Sequence, residues 1–374
     1  MTATVLSQPL GNLIYGILFE RFAGEPWLIL FPASFLAVII ALWSRTFFKK
    51  IPVAPAAAAL ADAASTASAA KTKNSHLTTR INSYPYLLGV KMKLGNEQQI
   101  ETDGIQNINV ACKDTNITLF ISSASTLMIK EYKTIGRGNC YSNIVKSGNT
   151  INITEGKHAL FFASFYHTEI YLPETFAGNL TVRVGDGNVE LNDNFTLDSV
   201  TIETSDGRIT ASKITAQNIK FQTSDGKVQC GTINGDIEIF TKDGGIFVDK
   251  LSGSIFAKAN SGKIKLNDAS GSVTAETKEG KILCKVTKPW EKILLASGDG
   301  SVTLDIPRDL YFRFSAKTSG RIKTPFMDRL SRPANDNYTY QGIIGEENKF
   351  DNEVIDIRLT VKDYRIAVNW IDSP

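Results

Sequence analysis

The chain has 374 residues, of which 43% are hydrophobic and 21% are charged, a balance that is typical of globular proteins and excludes disorder throughout. Its 41 basic and 38 acidic residues give a net charge of +3, too close to neutrality to indicate a nucleic-acid partner, and no nucleic-acid-binding motif is present. The four cysteines, Cys112, Cys140, Cys230 and Cys284, form no CxxC pair, which argues against a zinc site or a redox motif.

Residues 1–50 predict a transmembrane helical hairpin. From Trp27 to Trp43 the chain runs 17 residues without a charge, with a tryptophan at each end. A weaker apolar segment, Val5 to Phe19, precedes it. A signal peptide would need basic residues before the apolar run, whereas here Arg45, Lys49 and Lys50 follow it. The positive-inside rule therefore places the rest of the chain in the cytoplasm.

The hairpin also resembles a known family. The segments SQPLGNLIYGILFERF and PWLILFPASFLAVIIALWSRTFFKK resemble the last two membrane helices and basic tail of major facilitator superfamily efflux transporters. That family builds its central cavity from two halves of six helices, and a lone hairpin cannot alternate access. The resemblance of residues ~5–50 therefore implies a membrane anchor or a truncated relic. The alternative is an accessory to an efflux permease.

Residues 51–80 are an alanine-rich linker without apolar periodicity. Residues 81–180 contain short alternating segments, separated by asparagine, glycine and lysine clusters, and predict a strand-rich N-terminal part of a β domain. Helical periodicity is missing from this region.

The clearest pattern is a glycine at every ninth residue from Gly226 to Gly280, with apolar residues two and four positions later. Turns of the form acid or serine, glycine, any residue, Val or Ile recur 18–20 residues apart, at Gly187, Gly207, Gly226, Gly244, Gly262, Gly280, Gly300 and Gly320. Residues two before alternate glycines differ in polarity, so the true rung has two strands. The pattern predicts an all-β fold: a β-solenoid of about seven or eight rungs over 181–324, with capping strands at 325–374.

The segments TEIYLP and NLTVRVGDGNVEL and the SDGRI, SDGKV and SGKI turns resemble the bacterial "putative adhesin" families of β-strand repeats, over roughly residues 100–370. The resemblance implies the repeat fold. Those families have no assigned function, so they supply no catalytic or binding residues to transfer. The adhesin label implies exposure on the extracellular surface, whereas the charge rule implies the cytoplasmic side, and both remain open at this point.

The residues that follow the turn glycines form a column of bases about 5 Å apart in a stacked fold. They lie beside a column of aspartates, which favour turns more simply than they indicate calcium binding. The bases are either a solvated, self-neutralising face or a site for a linear polyanion or peptide. Phe247 and Phe256 stand where other blocks are polar, and either mark a partner site or lie under a loop. The predicted partner-binding edge therefore comprises Arg208, Lys227, Lys263, Lys281, Arg321, Phe247 and Phe256.

No catalytic, cofactor or metal motif is found: His76, His158 and His167 form no ligand pair, and neither GxSxG nor a P-loop occurs. The sequence predicts a non-enzymatic, membrane-anchored β-solenoid interaction or scaffold protein, adhesin-like or envelope-sensing. Its expected partners are the membrane and an unknown protein or polyanionic envelope component, with no nucleic acid. The expected location is the cell membrane.

Overall fold

The computed structural model of the protein describes residues 86–87, 90–133, 141–156, 166–289, 291–332, 338–345 and 354–372. These residues belong to one compact unit, Ile81–Pro374. The described part is built from strands β1 to β26, and its one helical turn is the 3-10 segment Met327–Arg329. The all-β prediction is confirmed. None of the described helical residues forms a helix long and apolar enough to cross a bilayer. The predicted hairpin, 1–50, and linker, 51–80, lie outside the described residues.

The strands are short and follow one another closely along the chain. Those of the N-terminal part are β1 Tyr86–Leu87, β2 Val90–Lys91, β3 Lys93–Glu101, β4 Asn107–Cys112, β5 Asn116–Ser122, β6 Thr126–Lys133, β7 Asn143–Ser147, β8 Thr150–Thr154 and β9 Tyr166–Pro173. Those of the glycine repeat are β10 Asn179–Val184, β11 Val189–Thr196, β12 Ser199–Thr204, β13 Ile209–Thr223, β14 Val228–Thr241, β15 Ile246–Ser252, β16 Ile255–Ala259, β17 Ile264–Ser270, β18 Val273–Thr277, β19 Ile282–Lys288, β20 Lys292–Ser297 and β21 Val302–Pro307. The remainder are β22 Phe312–Lys317, β23 Ile322–Lys323, β24 Thr339–Ile344, β25 Ile355–Val361 and β26 Ile366–Ile371.

The pairings arrange the strands in two largely parallel layers. Sheet A has the order β7-β8-β4-β10-β12-β13-β14-β16-β18-β20-β25-β22-β24. Sheet B has the order β3-β6-β9-β5-β11-β13-β14-β15-β17-β19-β21-β26-β23. The long strands β13 and β14 belong to both layers, with their first halves in sheet B and their second halves in sheet A.

The register shows the predicted rung directly. Ile237 pairs with Ile255 in sheet A, and Ile246 pairs with Ile264 in sheet B, so each strand lies beside the strand 18 residues later. Near the N-terminal end the offset is 20 residues, as in Thr181 beside Thr201. Each rung therefore consists of one strand from each sheet, and the solenoid-like prediction is confirmed.

The core is a single apolar layer between the two sheets, because alternate residues of every strand point inward. Strand β15, for example, buries Ile246 and Val248 and leaves Phe247 partly exposed. The inward columns of Ile, Val, Leu and Ala join into one continuous cluster along the stack. One rung alone buries too few side chains to offset the ordering of its backbone, so neighbouring rungs stabilise each other.

Both ends of the stack are interlocked. At the C-terminal end β25 lies between β20 and β22, and β26 lies between β21 and β23. The last strands of the chain, expected as a cap, are therefore the penultimate rung, and the antiparallel β24 forms the outer edge of sheet A. At the N-terminal end, β8 and β9 lie outside β4 and β5. Parallel rungs thus extend on both sides of residues 181–324.

Candidate functional site

The turns that lead from sheet A to sheet B form what we call the glycine corner, centred on Gly187, Gly207, Gly226, Gly244, Gly262, Gly280, Gly300 and Gly320. Each glycine packs on the turn of the neighbouring rung. A Cβ added at Gly226 would lie 1.8 Å from the carbonyl oxygen of Gly207, and one at Gly244 would lie 1.7 Å from that of Gly226. No side chain fits at that distance, so the corner stacks the residues on either side of the glycine in straight columns.

The column after the glycine is the basic ladder, whose order follows from backbone hydrogen bonds. The N–H of Ile246 donates to the carbonyl of Lys263, and that of Ile264 donates to the carbonyl of Lys281. The same pattern runs through the stack. The basic ladder is, in spatial order, Arg208, Lys227, Lys263, Lys281, Arg365 and Arg321, with Gly245 after Lys227 and Ser301 after Lys281.

Arg365 is the ladder residue that the sequence analysis missed. The N–H of Val302 donates to the Arg365 carbonyl, and the N–H of Ile366 donates to the Arg321 carbonyl. Arg365 therefore lies between Ser301 and Arg321, on the interlocked strand. A signal was available, because Asp363-Tyr364-Arg365-Ile366 repeats the SDGRI turn with tyrosine in place of glycine.

The ladder has an internal spacing. Its bases occur as three adjacent pairs, separated by the small residues Gly245 and Ser301. At about 4.8 Å per strand, equivalent members of successive pairs lie ~14 Å apart and the whole ladder spans ~34 Å. Lys227 lies with its Nζ 4.1 Å from the centre of the Phe247 ring and donates a hydrogen bond to Gln229. The other five side chains make no hydrogen bond or ion pair with any residue that the structure describes.

An acidic column runs beside the ladder, two residues earlier in most turns: Asp186, Asp206, Asp225, Asp243, Glu279, Asp299 and Asp363, with Ser261 and Ser319 in the remaining two. Lys242 lies 3.9 Å from Asp243 at the surface. Within the described chain, no ion pair joins the acidic column to the basic ladder. Solvent-exposed contacts of this kind contribute little to stability.

The two phenylalanines of the predicted edge lie on different sheets. Phe247 is in sheet B, beside Gln229 and Lys265, and its ring occupies the space next to Gly245. Phe256 is in sheet A, where it packs against Phe240 with ring centres 5.6 Å apart. The geometry therefore joins Phe247 to Arg208, Lys227, Lys263, Lys281 and Arg321, and separates Phe256 from them.

Outside the ladder, one group of interacting titratable side chains lies on the outer face of β6 and β9. The hydroxyls of Tyr132 and Tyr171 both donate to Glu169 Oε2 at 2.9 Å. His167 Nε2 lies 3.9 Å from Glu169 Oε1. Burial lowers the pKa of His167, which the charge of Glu169 opposes, and burial together with the bond to Glu169 raises the pKa of Tyr132. The two tyrosine hydroxyls and the Glu169 carboxylate are thus hydrogen-bonded to one another within the protein.

The described cysteines are free thiols. Burial, followed by the charge of Asp249, raises the pKa of Cys230 to about 12, and burial also raises that of Cys284. Both thiols are therefore neutral core residues. The described residues include no group of three or more His, Cys, Asp and Glu that could hold a metal ion.

Comparison with known families identifies the repeat. The model of the Toastrack DUF4097 family matches residues 105–269, from the residues before β4 to the end of β17. Over these residues the chain is similar to the Toastrack family. That family is a β-repeat of unknown function, which agrees with the resemblance to β-repeat families of unassigned function. The transporter resemblance of residues ~5–50 is not tested by this match and stays a prediction.

Among solved structures, one described as "a putative cell adhesion protein from Clostridium sporogenes" is 12% identical to this chain. The match covers 75% of this chain and 100% of that chain, with a TM-score of 0.18, which is too low to support an argument. No curated protein matches the chain.

Proposed function

We propose that the protein is a non-enzymatic interaction module whose basic ladder binds a linear polyanion along the glycine corner. The observation that carries this proposal is the continuity of the ladder across the interlocked end. Arg365 comes from the last strands of the chain, yet it stands in the same column as Lys281 and Arg321. Sequence-distant strands thus contribute to one row of positive charge.

The physical argument is multivalency. A single exposed contact between a base and an anion contributes roughly 0.2–1 kcal/mol. Once one anionic group of the polymer is bound, its other anionic groups bind the remaining bases as an intramolecular step, so weak contacts add to a higher affinity. The ~14 Å spacing of the pairs favours a flexible polymer with closely spaced anionic groups, since such a chain meets every pair. The neighbouring acidic column disfavours compact anions that approach both columns equally.

The binding test uses polyphosphate of graded length and the full chain at low ionic strength. Affinity per molecule should rise with length until the polymer spans about 34 Å and then level off. Lys263→Gln combined with Lys281→Gln removes one pair and should weaken binding about tenfold. The matched control is Lys213→Gln with Lys250→Gln, which removes the same charge from exposed positions on β13 and β15 of sheet B. Equal weakening in the two double variants would contradict a site at the ladder.

We also propose that residues 1–50 anchor the module in the cell membrane with the β domain on the cytoplasmic side. The uncharged run from Trp27 to Trp43 and the bases that follow it support this arrangement. Protease added to intact cells should leave the β domain uncut, and cleavage from outside would favour the extracellular, adhesin-like alternative.

The second candidate function is an accessory to an efflux permease, which the resemblance of residues ~5–50 favours. Solubilised membranes should then yield a complete transporter in stoichiometric complex with this chain. Purification of the chain without a transporter favours the independent module. The absence of catalytic motifs from the sequence supports a non-enzymatic function in either case.

A further inference from the structure

The outer face of sheet A contains a cleft of about 620 Å³ at the strand ends that lead into the glycine corner. The floor of the cleft lies where the outward-pointing side chains of one column in the sheet become small. Along that column Lys258 and Glu276 are followed by Ala296 and Thr360, and then by Lys317. The long side chains on either side leave a depression above Ala296, and the exposed Tyr338 lines it as well.

The rim of the cleft has an excess of positive charge. One turn position carries Lys278, Gly298 and Lys362 on three successive rungs. Gly298 stacks directly on the Lys278 carbonyl, which fixes this order on one side. Gly298 leaves a notch with one exposed lysine on each side. The two lysines stand two strand spacings apart, or ~10 Å, so both ammonium groups reach one ligand in the notch.

The two acids that line the cleft already have partners. Glu276 pairs with Lys258 at 3.1 Å, and Asp363 accepts a hydrogen bond from the Ser319 hydroxyl. Lys278 and Lys362 make no side-chain hydrogen bond or ion pair with a described residue. Their charge is therefore available to a ligand.

A second cleft shows that this arrangement is specific. It has about 740 Å³ and also lies at a glycine two positions before the turn, Gly185. There the Arg183 guanidinium pairs with Glu203 at 2.9 Å, and the Glu155 carboxylate accepts hydrogen bonds from Lys113 N and the Thr115 hydroxyl. Both clefts have a glycine notch, but only the notch at Gly298 has an exposed lysine on each side.

We propose that the cleft at Gly298 binds a small organic oxyanion, with the anionic group held between Lys278 and Lys362 and the apolar part over Ala296 against Tyr338. Its volume is in the range of small-molecule sites, roughly 300–1,000 Å³. Lysine ammonium groups bind phosphate and carboxylate oxygens through charge-assisted hydrogen bonds. Lys278 and Lys362 stand three residues before the ladder residues Lys281 and Arg365. The two sites share turns but no residue, so either proposal can fail without the other.

The probe is phenyl phosphate, titrated calorimetrically into the full chain at low salt, with inorganic phosphate as the probe of the anion site alone. We expect saturable binding of one phenyl phosphate per chain, tighter than binding of inorganic phosphate. Lys278→Gln combined with Lys362→Gln should weaken it about tenfold or more. Lys278→Gln alone should also weaken binding, and Lys242→Gln is its matched control, because Lys242 is an exposed lysine in the same turn column but outside the cleft. Lys242→Gln should change binding less than about twofold.

A second variant tests the cavity rather than the charge. Ala296→Leu fills the depression from a partly exposed position, so it should weaken phenyl phosphate binding while leaving inorganic phosphate binding unchanged. Thermal unfolding checks that every variant is folded. The proposal is overturned by absence of saturable phenyl phosphate binding to the unmodified chain, by equal loss in Lys242→Gln, or by equal affinity for the two probes. The first and third outcomes need no variant.

Discussion

At the glycine corner, the residue type is dictated by a carbonyl oxygen of the neighbouring rung. The contact distances of 1.7 and 1.8 Å at Gly244 and Gly226 exclude a Cβ without movement of the backbone. A second row, Gly235, Gly253 and Gly271, has φ angles of 133°, 135° and 139° as well as close carbonyl contacts. Glycine is therefore needed at this second row for both space and conformation.

The first prediction compares two adjacent glycines. Gly244→Ala should lower the free energy of unfolding by more than about 3 kcal/mol, because its Cβ meets backbone. Gly245→Ala should cost less than about 2 kcal/mol, because the nearest atom, 2.6 Å away, belongs to the partly exposed Phe247 ring, and the nearest backbone atom, the Lys263 carbonyl oxygen, lies 3.2 Å away. Urea unfolding of the two variants measures the difference. Similar losses in both would show that the stacked carbonyl does not set the requirement.

The second prediction concerns His167. Its pKa in the folded protein lies below the ordinary value of 6.5, so the unfolded chain takes up a proton first as the pH falls. The stability that depends on neutral His167 is complete above about pH 6.5 and is lost as the pH falls through the folded pKa. Urea unfolding at about pH 7.5 and about pH 5.5 should show this loss, and His167→Gln should reduce it. An identical loss in the variant would assign the pH dependence to other groups.

At the residue scale, the sequence showed where the glycines recur but not that a carbonyl oxygen of the neighbouring rung requires them. It grouped Phe247 with Phe256 because each follows a glycine by three residues. A shift of nine residues is half a rung, however, and moves a side chain to the opposite sheet. Arg365 was missed because Tyr364 takes the place of the turn glycine. Local spacing does not reveal which rung a late strand joins.

At the scale of the strand, the ends of the sheet A strands carry a row of buried hydroxyls. Thr223 donates to the carbonyl of Gly207 at 3.0 Å, and the N–H of Gly226 donates back to Thr223 at 3.1 Å. Thr277 and Ser297 repeat the first bond, to Gly262 and Gly280. These hydroxyls satisfy turn groups that are shielded from water.

Ala259 interrupts this hydroxyl row and supplies the third prediction. Ala259 occupies a position of the hydroxyl row and is 1% exposed. One rung earlier, Thr241 donates to the carbonyl of Gly244, the glycine of the turn that follows it. Ala259→Thr should add a hydroxyl that reaches the Gly244 carbonyl. We expect it to be about 0.5–1.5 kcal/mol more stable than Ala259→Val, which has the same shape without the donor. Chemical denaturation of this pair isolates the hydrogen bond, and equal midpoints would refute the assignment.

At the scale of the molecule, the interlocked end determines the order of the rungs. Four aromatic side chains close the core there: Phe326 packs on Phe312, Phe314 and Trp370 with ring centres 5.6, 5.1 and 5.3 Å apart. The sequence repeat correctly predicted that the rungs stack, but it predicted that they stack in the order of the sequence. The position of β25 and β26 depends on which strand edges are still unpaired when these two strands form. No turn motif encodes that choice.

The fourth prediction tests the rung order. Leu294 pairs with Arg358, and Arg358 pairs with Ser315 on its other side. Cysteines at 294 and 358 should therefore form a disulfide under mild oxidation. Cysteines at 294 and 315 should not, because two strand spacings, ~10 Å, exceed the roughly 7 Å limit between Cα atoms. Mass spectrometry of the oxidised proteins distinguishes the two, and the reverse result would mean that the C-terminal strands lie at the edge.

Because β25 and β26 fill a slot between earlier strands, the sides of β20 and β21 that face this slot stay open during synthesis until Ile371 has left the ribosome. Unpaired strand edges invite association with other chains. Ribosomes translating the same message hold such edges close together. The interlocked end thus makes the pairing of β25 and β26, rather than the completion of each repeat, the event that closes the nascent protein against its neighbours on the polysome.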